Sequence, residues 1–227
     1  QPGVDPSIYG TSAAEIVTGT AAADVIFGLA GNDDVRGLEG NDILIGGTGA
    51  DILRGGAGVD AASYVTAAAG VTVSLLTPAT NTGDAAGDTF LTIENIVGSA
   101  LADVLSGNDS ANTIMGANGS DTLTGNGGSD ILIGGDGSDA YYVSEASDVV
   151  TELAGAAAGA LDVIYSSVSF TNAANVERLV LTGSANIDAA GRDGQDDVIQ
   201  GNSGSNVIDG KTGADNMSGG LGNDFYY

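Results

Sequence analysis

The sequence of 227 residues contains no cysteine, no histidine and no tryptophan, and only five lysines and arginines in all. Without cysteine there are no disulfides and no thiol chemistry. Without histidine the commonest general base and the commonest transition-metal ligand are missing, leaving oxygen ligands for hard cations. The scarcity of basic residues sets a net charge of -25, which excludes nucleic acid and anionic membrane surfaces as partners, because both repel such a chain at long range. No run of about 18 apolar residues is present, so no membrane span is expected. The opening QPGVDPSIYG is not a signal peptide; either the protein is cytoplasmic or its export signal lies outside this chain.

What the chain does hold is 38 glycines and 30 acids, and these recur with a period of nine. Six consecutive units run from Gly10 to Ser63, among them GLAGNDDVR, GLEGNDILI and GGTGADILR. Five more run from Gly98 to Tyr142 and a last five from Gly183 to Tyr227, ending in GGLGNDFYY.

Two columns of this frame are strict. The eighth position holds Val17, Ile26, Val35, Leu44, Leu53, Ala62, Leu105, Ile114, Leu123, Leu132, Tyr141, Ala190, Ile199, Ile208, Met217 and Tyr226, all able to sit in a core. The sixth holds Glu15, Asp24, Asp33, Asp42, Asp51, Asp60, Asp103, Asn112, Asp121, Asp130, Asp139, Asp188, Asp197, Asn206, Asp215 and Asp224, each with a side-chain carbonyl oxygen. A solvated, disordered linker explains the charge but not the apolar column. A helix is disfavoured by so many glycines. A six-residue turn followed by a three-residue strand fits, with position eight pointing inward and positions seven and nine outward.

Two units then make one coil, and unit n stacks over unit n+2 at a strand spacing of about 4.8 Å. The predicted fold is all-β, a parallel β-roll solenoid whose two thin sheets enclose an aliphatic core. Stacking also brings position-six carboxylates together, where repulsion at about 5 Å and an effective dielectric near 20 costs roughly 3 kcal/mol. A dication between turns reverses that sign. Calcium, tolerant of irregular oxygen cages, suits the turns better than magnesium.

The repeats resemble the G-G-x-G-x-D-x-U-x nonapeptide of the RTX (repeats-in-toxin) calcium-binding proteins, most fully in GGTGADILR, GGDGSDAYY and GGLGNDFYY. The intervening VTVSLL, DTFLTIENIVGSALADVLSG and VSFTNAANVERLVLTGSANIDAAG are similar to segments that join roll blocks in large secreted members of that family. The resemblance implies a right-handed roll, several calcium ions held by position-six side chains of units n and n+2 plus turn carbonyls, and type I secretion from Gram-negative bacteria. Carried onto this sequence, the metal ligands are Asp24, Asp33, Asp42, Asp51, Asp60, Asp103, Asn112, Asp121, Asp130, Asp139, Asp197, Asn206, Asp215 and Asp224. The foremost pairs are Asp24 with Asp42, Asp33 with Asp51, Asp42 with Asp60, Asp121 with Asp139, and Asp197 with Asp215. Neutral Asn112 and Asn206, and turns lacking a fourth-position glycine before Glu15, Asp24, Asp103, Asp188 and Asp197, depart from the pattern and mark weak or empty sites.

Residues 64–97 and 143–182 lack the nonapeptide but alternate apolar and polar residues, as at Val71, Val73 and Leu75 and again at Val163, Tyr165 and Ser167. They are read as longer strands that continue the stack, giving one solenoid over 1–227 with repeat blocks at 10–63, 98–142 and 183–227; a short helix within SEASDVVTELAGAAAGALD is the alternative.

Catalysis is not expected: Lys211, Arg36, Arg54, Arg178 and Arg192 are scattered, and acid pairs such as Asp33 and Asp34 fit the metal ladder better than a polysaccharide-cleaving site. The expected function is a calcium-dependent folding module of a secreted, extracellular protein. The rival is a structural stalk, surface-layer or fibre subunit. Outward Val25, Phe27, Ile43 and Ile45 form an apolar ladder opposite a mixed face of Asp34, Arg36, Ile52 and Arg54; it is either covered by 64–97 or a surface for self-association or cell-surface contact. The closing FYY leaves a coil edge able to pair with another copy.

Overall fold

The computed structural model describes residues 7–153 and 161–227. It is an all-β solenoid of about 12 turns, with no α-helix among the described residues and only two short 3-10 turns, Pro78–Thr80 and Gly83–Ala85. Every paired strand is parallel, and within the first two repeat blocks the offset is the 18 residues that a two-unit coil requires: Ile26 sits beside Leu44, Val35 beside Leu53 and Ile114 beside Leu132.

The strands form two walls. One wall is an eight-stranded sheet from Ser7–Tyr9 to Val149–Thr151, followed by a four-stranded sheet from Phe170–Thr171 to Phe225–Tyr226. The other is a four-stranded sheet from Ile16–Thr18 to Thr89–Leu91, followed by an eight-stranded sheet from Thr72–Ser74 to Asn216–Ser218. Between them lies the position-eight column: Ile26, Val35, Leu44, Leu53, Ala62, Leu105, Ile114, Leu123, Leu132, Tyr141 and Ile208 are fully buried. At roughly 1.5–3 kcal/mol for each large apolar side chain taken from water, this column is the main apolar contribution to the fold.

Four features differ from the nine-residue frame. Several strands are six residues long rather than three, as in Val25–Ala30 and Ile43–Thr48, because pairing resumes after the corner glycine with Leu29 beside Gly47 and Ala30 beside Thr48. One unit slips by a residue: Ala189, not Ala190, pairs with Ile208 and is buried, so Asp188 is left exposed and outside the column of acids. Met217 is only partly buried and Tyr226 is 47% exposed, since the strands that carry them have a neighbour on one side only. In the second intervening stretch Ile164 and Ser166 face inward, and Tyr165 faces outward to stack on Tyr142.

The first intervening stretch does not simply continue the coil. Thr72–Ser74 pairs forward with Val104–Ser106, whereas the later Thr89–Leu91 pairs back onto Ile52–Ala57. The chain steps ahead, turns through the two 3-10 segments, and fills the place it skipped. In doing so it covers part of the outward apolar ladder: Ile45 is 3% exposed, in a recess that Thr66 and Asp84 help to line, while Ile43 stays 38% exposed. Asp34 is on the mixed face, paired with Arg36 at 2.5 Å and Arg54 at 2.8 Å, and so belongs to an outer ion pair, not to the inner ladder. Of the segment considered for a helix, Val149–Thr151 is a strand, and 154–160 lies outside the described residues.

The fourth-position glycine is required by close approach as well as by dihedral. Gly137 has φ +151°, and a Cβ there would overlap the carbonyl oxygen of Gly119 in the coil below. Gly183 also has positive φ, +73°, but open space around it. Gly137→Ala therefore costs more than about 3 kcal/mol, because backbone cannot yield as a side chain can, and Gly183→Ala costs about 1 kcal/mol of dihedral strain alone. Urea unfolding of the two variants in excess calcium checks the ranking, and equal losses would contradict it.

Candidate metal ladder

Most position-six side chains are held by the backbone of the neighbouring coil. One carboxylate oxygen accepts the N–H of the position-six residue 18 places earlier: Asp24 N–H donates to Asp42 Oδ1 at 2.9 Å, Asp33 to Asp51 at 2.8 Å, Asp42 to Asp60 at 2.8 Å, Asp121 to Asp139 at 2.7 Å and Asp197 to Asp215 at 2.9 Å. Asp103 with Asp121, Asn112 with Asp130 and Asn206 with Asp224 repeat the arrangement at 2.8–3.0 Å. The five foremost pairs from the repeat spacing are thus neighbours on successive coils.

The second oxygen divides the turns into two kinds. In open turns the residues at positions two and four both have positive φ: Gly47 +93° and Gly49 +145° before Asp51, Leu38 +84° and Gly40 +110° before Asp42, Ala117 +84° and Gly119 +129° before Asp121. The same dihedral pattern precedes Asp33, Asp60, Asp130, Asp139, Asp215 and Asp224. In closed turns the position-two N–H folds back onto the acid or amide: Thr20 onto Asp24 at 2.6 Å, Ser99 onto Asp103 at 2.6 Å, Asn108 onto Asn112 at 2.8 Å, Asn202 onto Asn206 at 3.0 Å, and Thr11 onto Glu15. Arg192 N–H does the same for Asp197 at 2.7 Å. Turning position two into the left-handed region is what frees the oxygen, and leucine accepts it only at a cost of about 1–2 kcal/mol.

The freed oxygens have no partner. Asp33, Asp42, Asp51, Asp60, Asp121, Asp130 and Asp139 are each no more than 2% exposed, and the Oδ2 of every one is buried without a hydrogen bond. Such an atom costs about 1–3 kcal/mol, more when charged, unless something fills the turn. The position-one glycine makes the room: a Cβ on Gly46 would overlap Asp51 Oδ2, and one on Gly125 would overlap Asp130 Oδ2. Anionic oxygen donors, no nitrogen or sulfur, and a series of such cradles fit calcium.

The family model for the RTX calcium-binding nonapeptide repeat matches residues 9–44, 36–61, 92–123, 106–141, 115–150 and 193–226, well over half of the chain. The chain belongs to the RTX calcium-binding nonapeptide repeat family. No curated protein matches it. As an RTX module, it carries repeats of a calcium-binding kind on a β-solenoid frame, with the open turns concentrated where the nonapeptide is fullest.

The RTX ladder also recruits acids outside the repeat blocks, of which Asp148 keeps the 18-residue spacing and the others depart from it. Across the intervening stretches Asp51 N–H donates to Asp88 Oδ1 at 2.8 Å, Asp60 to Glu94 Oε2 at 2.8 Å, Asp130 to Asp148 Oδ1 at 3.1 Å, Asp139 to Asp162 Oδ1 at 2.8 Å and Asp162 to Glu177 Oε2 at 2.8 Å. Each of these acids lies two residues before an inward apolar residue, as in Asp88-Thr-Phe90, Glu94-Asn-Ile96, Asp148-Val-Val150, Asp162-Val-Ile164 and Glu177-Arg-Leu179. That short signature, acid then one residue then apolar, was the available signal.

Burial governs the titration of these groups. It pushes Asp33, Asp42, Asp51, Asp60, Asp130 and Asp139 above the ordinary carboxylate range, Asp88 and Asp121 up to about 7, and Asp162 up to about 6. The N–H bonds from the neighbouring coil pull the other way, and adjacent carboxylates such as Asp139 beside Asp121 add to the rise. With folded values above the unfolded ones, the metal-free solenoid binds more protons than the unfolded chain, so its stability is present at low pH and lost as pH rises through the folded values. In chelator, the urea midpoint is therefore expected to fall steadily between about pH 4 and pH 7. A midpoint that rises with pH would contradict the burial of these groups.

Proposed function

We propose that this RTX chain is a calcium-driven folding module of a secreted Gram-negative bacterial protein, unfolded while calcium is scarce and rigid once outside the cell. The observation that carries this reading is the set of seven buried Oδ2 atoms without partners at Asp33, Asp42, Asp51, Asp60, Asp121, Asp130 and Asp139. These residues, with Asp215 and Asp224 in the remaining open turns, hold the ions. The closed-turn residues Asp24, Asp103, Asn112, Asp197 and Asn206 already spend a side-chain oxygen on a local N–H and contribute less. Each ion bound by the folded state alone adds about 2.7 kcal/mol at a hundredfold excess over its dissociation constant. Several such increments outweigh the repulsion among acids in a chain of net charge -25.

The domain reading follows: one continuous solenoid, with 10–63, 98–142 and 183–227 as repeat blocks and 64–97 and 143–182 as joining stretches, melting as a unit. Both eight-stranded sheets include strands of the middle block, which supports it. The module binds and folds rather than catalyses. A structural, self-associating role is favoured by one observation, the outward apolar residues Ile43, Ile131 and Val149 on one eight-stranded sheet, each 38–51% exposed. Sedimentation in calcium separates the two, since a monomer at every concentration removes the self-associating reading.

Equilibrium dialysis against calcium at pH 7.5 tests the assignment of ligands. Asp51→Asn and Asp121→Asn are expected each to remove at least one bound ion, while Asp24→Asn leaves the count unchanged. Equal loss from all three would show that the open and closed turns do not differ in metal binding.

A further inference from the structure

At the junction of the second repeat block with the stretch after it, the ladder changes character. Asp139 is the last position-six acid of the block, and Asp162 takes the next rung. A third carboxylate joins them from outside the repeat frame: one oxygen each from Asp139, Glu152 and Asp162 lie within 4.8 Å of one another, and all three residues are buried. Oxygens this close can share one cation, and calcium, at about 2.4 Å from each, tolerates such an irregular carboxylate cage.

Two further observations point to an occupant. Asp139 Oδ2 is buried without a hydrogen-bond partner, and the residue is 2% exposed. It is directed into this cluster: a Cβ on Gly134 would overlap both Asp139 Oδ2 and the Tyr141 hydroxyl oxygen, and that hydroxyl donates to Glu152 Oε2. Tyr141 itself is fully buried in the aliphatic position-eight column, so a core side chain reaches out to the acid that the repeats do not supply. The other Glu152 oxygen accepts Leu153 N–H at 2.8 Å, which fixes the carboxylate in place.

We propose that Asp139, Glu152 and Asp162 form a separate tricarboxylate calcium site, oriented by Tyr141, that binds more tightly than the two-carboxylate turns of the repeats and seals the end of the second block. The greater affinity follows from one more negative ligand on a site already held rigid. The site rests on the calcium-binding reading given above, yet its own ligands lie partly outside the nonapeptide.

Terbium titration of the full chain tests it, because terbium takes calcium's oxygen sites and is sensitised by a nearby tyrosine; the chain has seven tyrosines and no tryptophan. The wild type is expected to show a first, high-affinity step of tyrosine-sensitised emission that calcium displaces. Glu152→Gln should weaken that step about tenfold or more and leave later steps in place. Tyr141→Phe, which keeps all three carboxylates, should remove more than half of its emission. Tyr64→Phe, which loses the other buried tyrosine hydroxyl on a ladder acid, Asp88 at 2.9 Å, should not. Far-UV circular dichroism in calcium checks that each variant folds, and should Glu152→Gln fail to, the two tyrosine variants decide the matter. An unchanged first step in Glu152→Gln, or full emission in Tyr141→Phe, overturns this site while leaving the repeat sites standing. Absence of any calcium-displaceable emission in the wild type overturns this site, and the calcium count by equilibrium dialysis decides separately whether the repeat sites stand.

Discussion

The structure depends on the stacking of carboxylates at the spacing of β-strands. Parallel pairing with an 18-residue offset sets Asp33 over Asp51 and Asp121 over Asp139, and the N–H bonds to one oxygen of each leave no freedom to turn away. Those bonds orient the ladder but cannot neutralise it. The aliphatic column draws the same residues inward that the acids drive apart, so what fills the turns decides whether the coil closes.

The glycines belong to that competition. A left-handed position two lifts the turn N–H away from the acid, and the small position-one residue opens the space beside Oδ2, as Gly46 does for Asp51. Where threonine, serine or asparagine occupies position two without that dihedral, the turn satisfies its own acid, as Thr20 does for Asp24. The chain thus contains two solutions to one electrostatic problem. One is self-contained, and the other leaves a buried anion that requires a cation.

Much of this was legible in the repeats, because the apolar column and the column of acids each obey a strict period and parallel stacking follows from it. The adjacency of the five leading acid pairs and the buried aliphatic residues follow from spacing alone, and the missing fourth-position glycine marks the turns at Asp24 and Asp103 that close on their own acids. The rest was hidden where period gives way to topology. The forward step of Thr72–Ser74 and return of Thr89–Leu91 leave no mark in a local pattern, and the rungs at Asp88, Glu94, Asp162 and Glu177 depend on which strand lands beside which. The one-residue slip at Ala189 lies in a unit whose frame offered two adjacent alanines. Glu152 meets the ladder at Asp139 and Asp162 and accepts from the buried Tyr141, contacts that no spacing announces.

Far-UV circular dichroism of the full chain at pH 7.5, titrated from chelator into calcium and into magnesium, tests the central claim most directly. The account predicts a largely unfolded chain in chelator, a cooperative gain of β structure with calcium that chelator reverses, and little response to magnesium. Full β structure in chelator would show that the apolar column suffices alone, and the dependence of the fold on its carboxylate ladder would be contradicted.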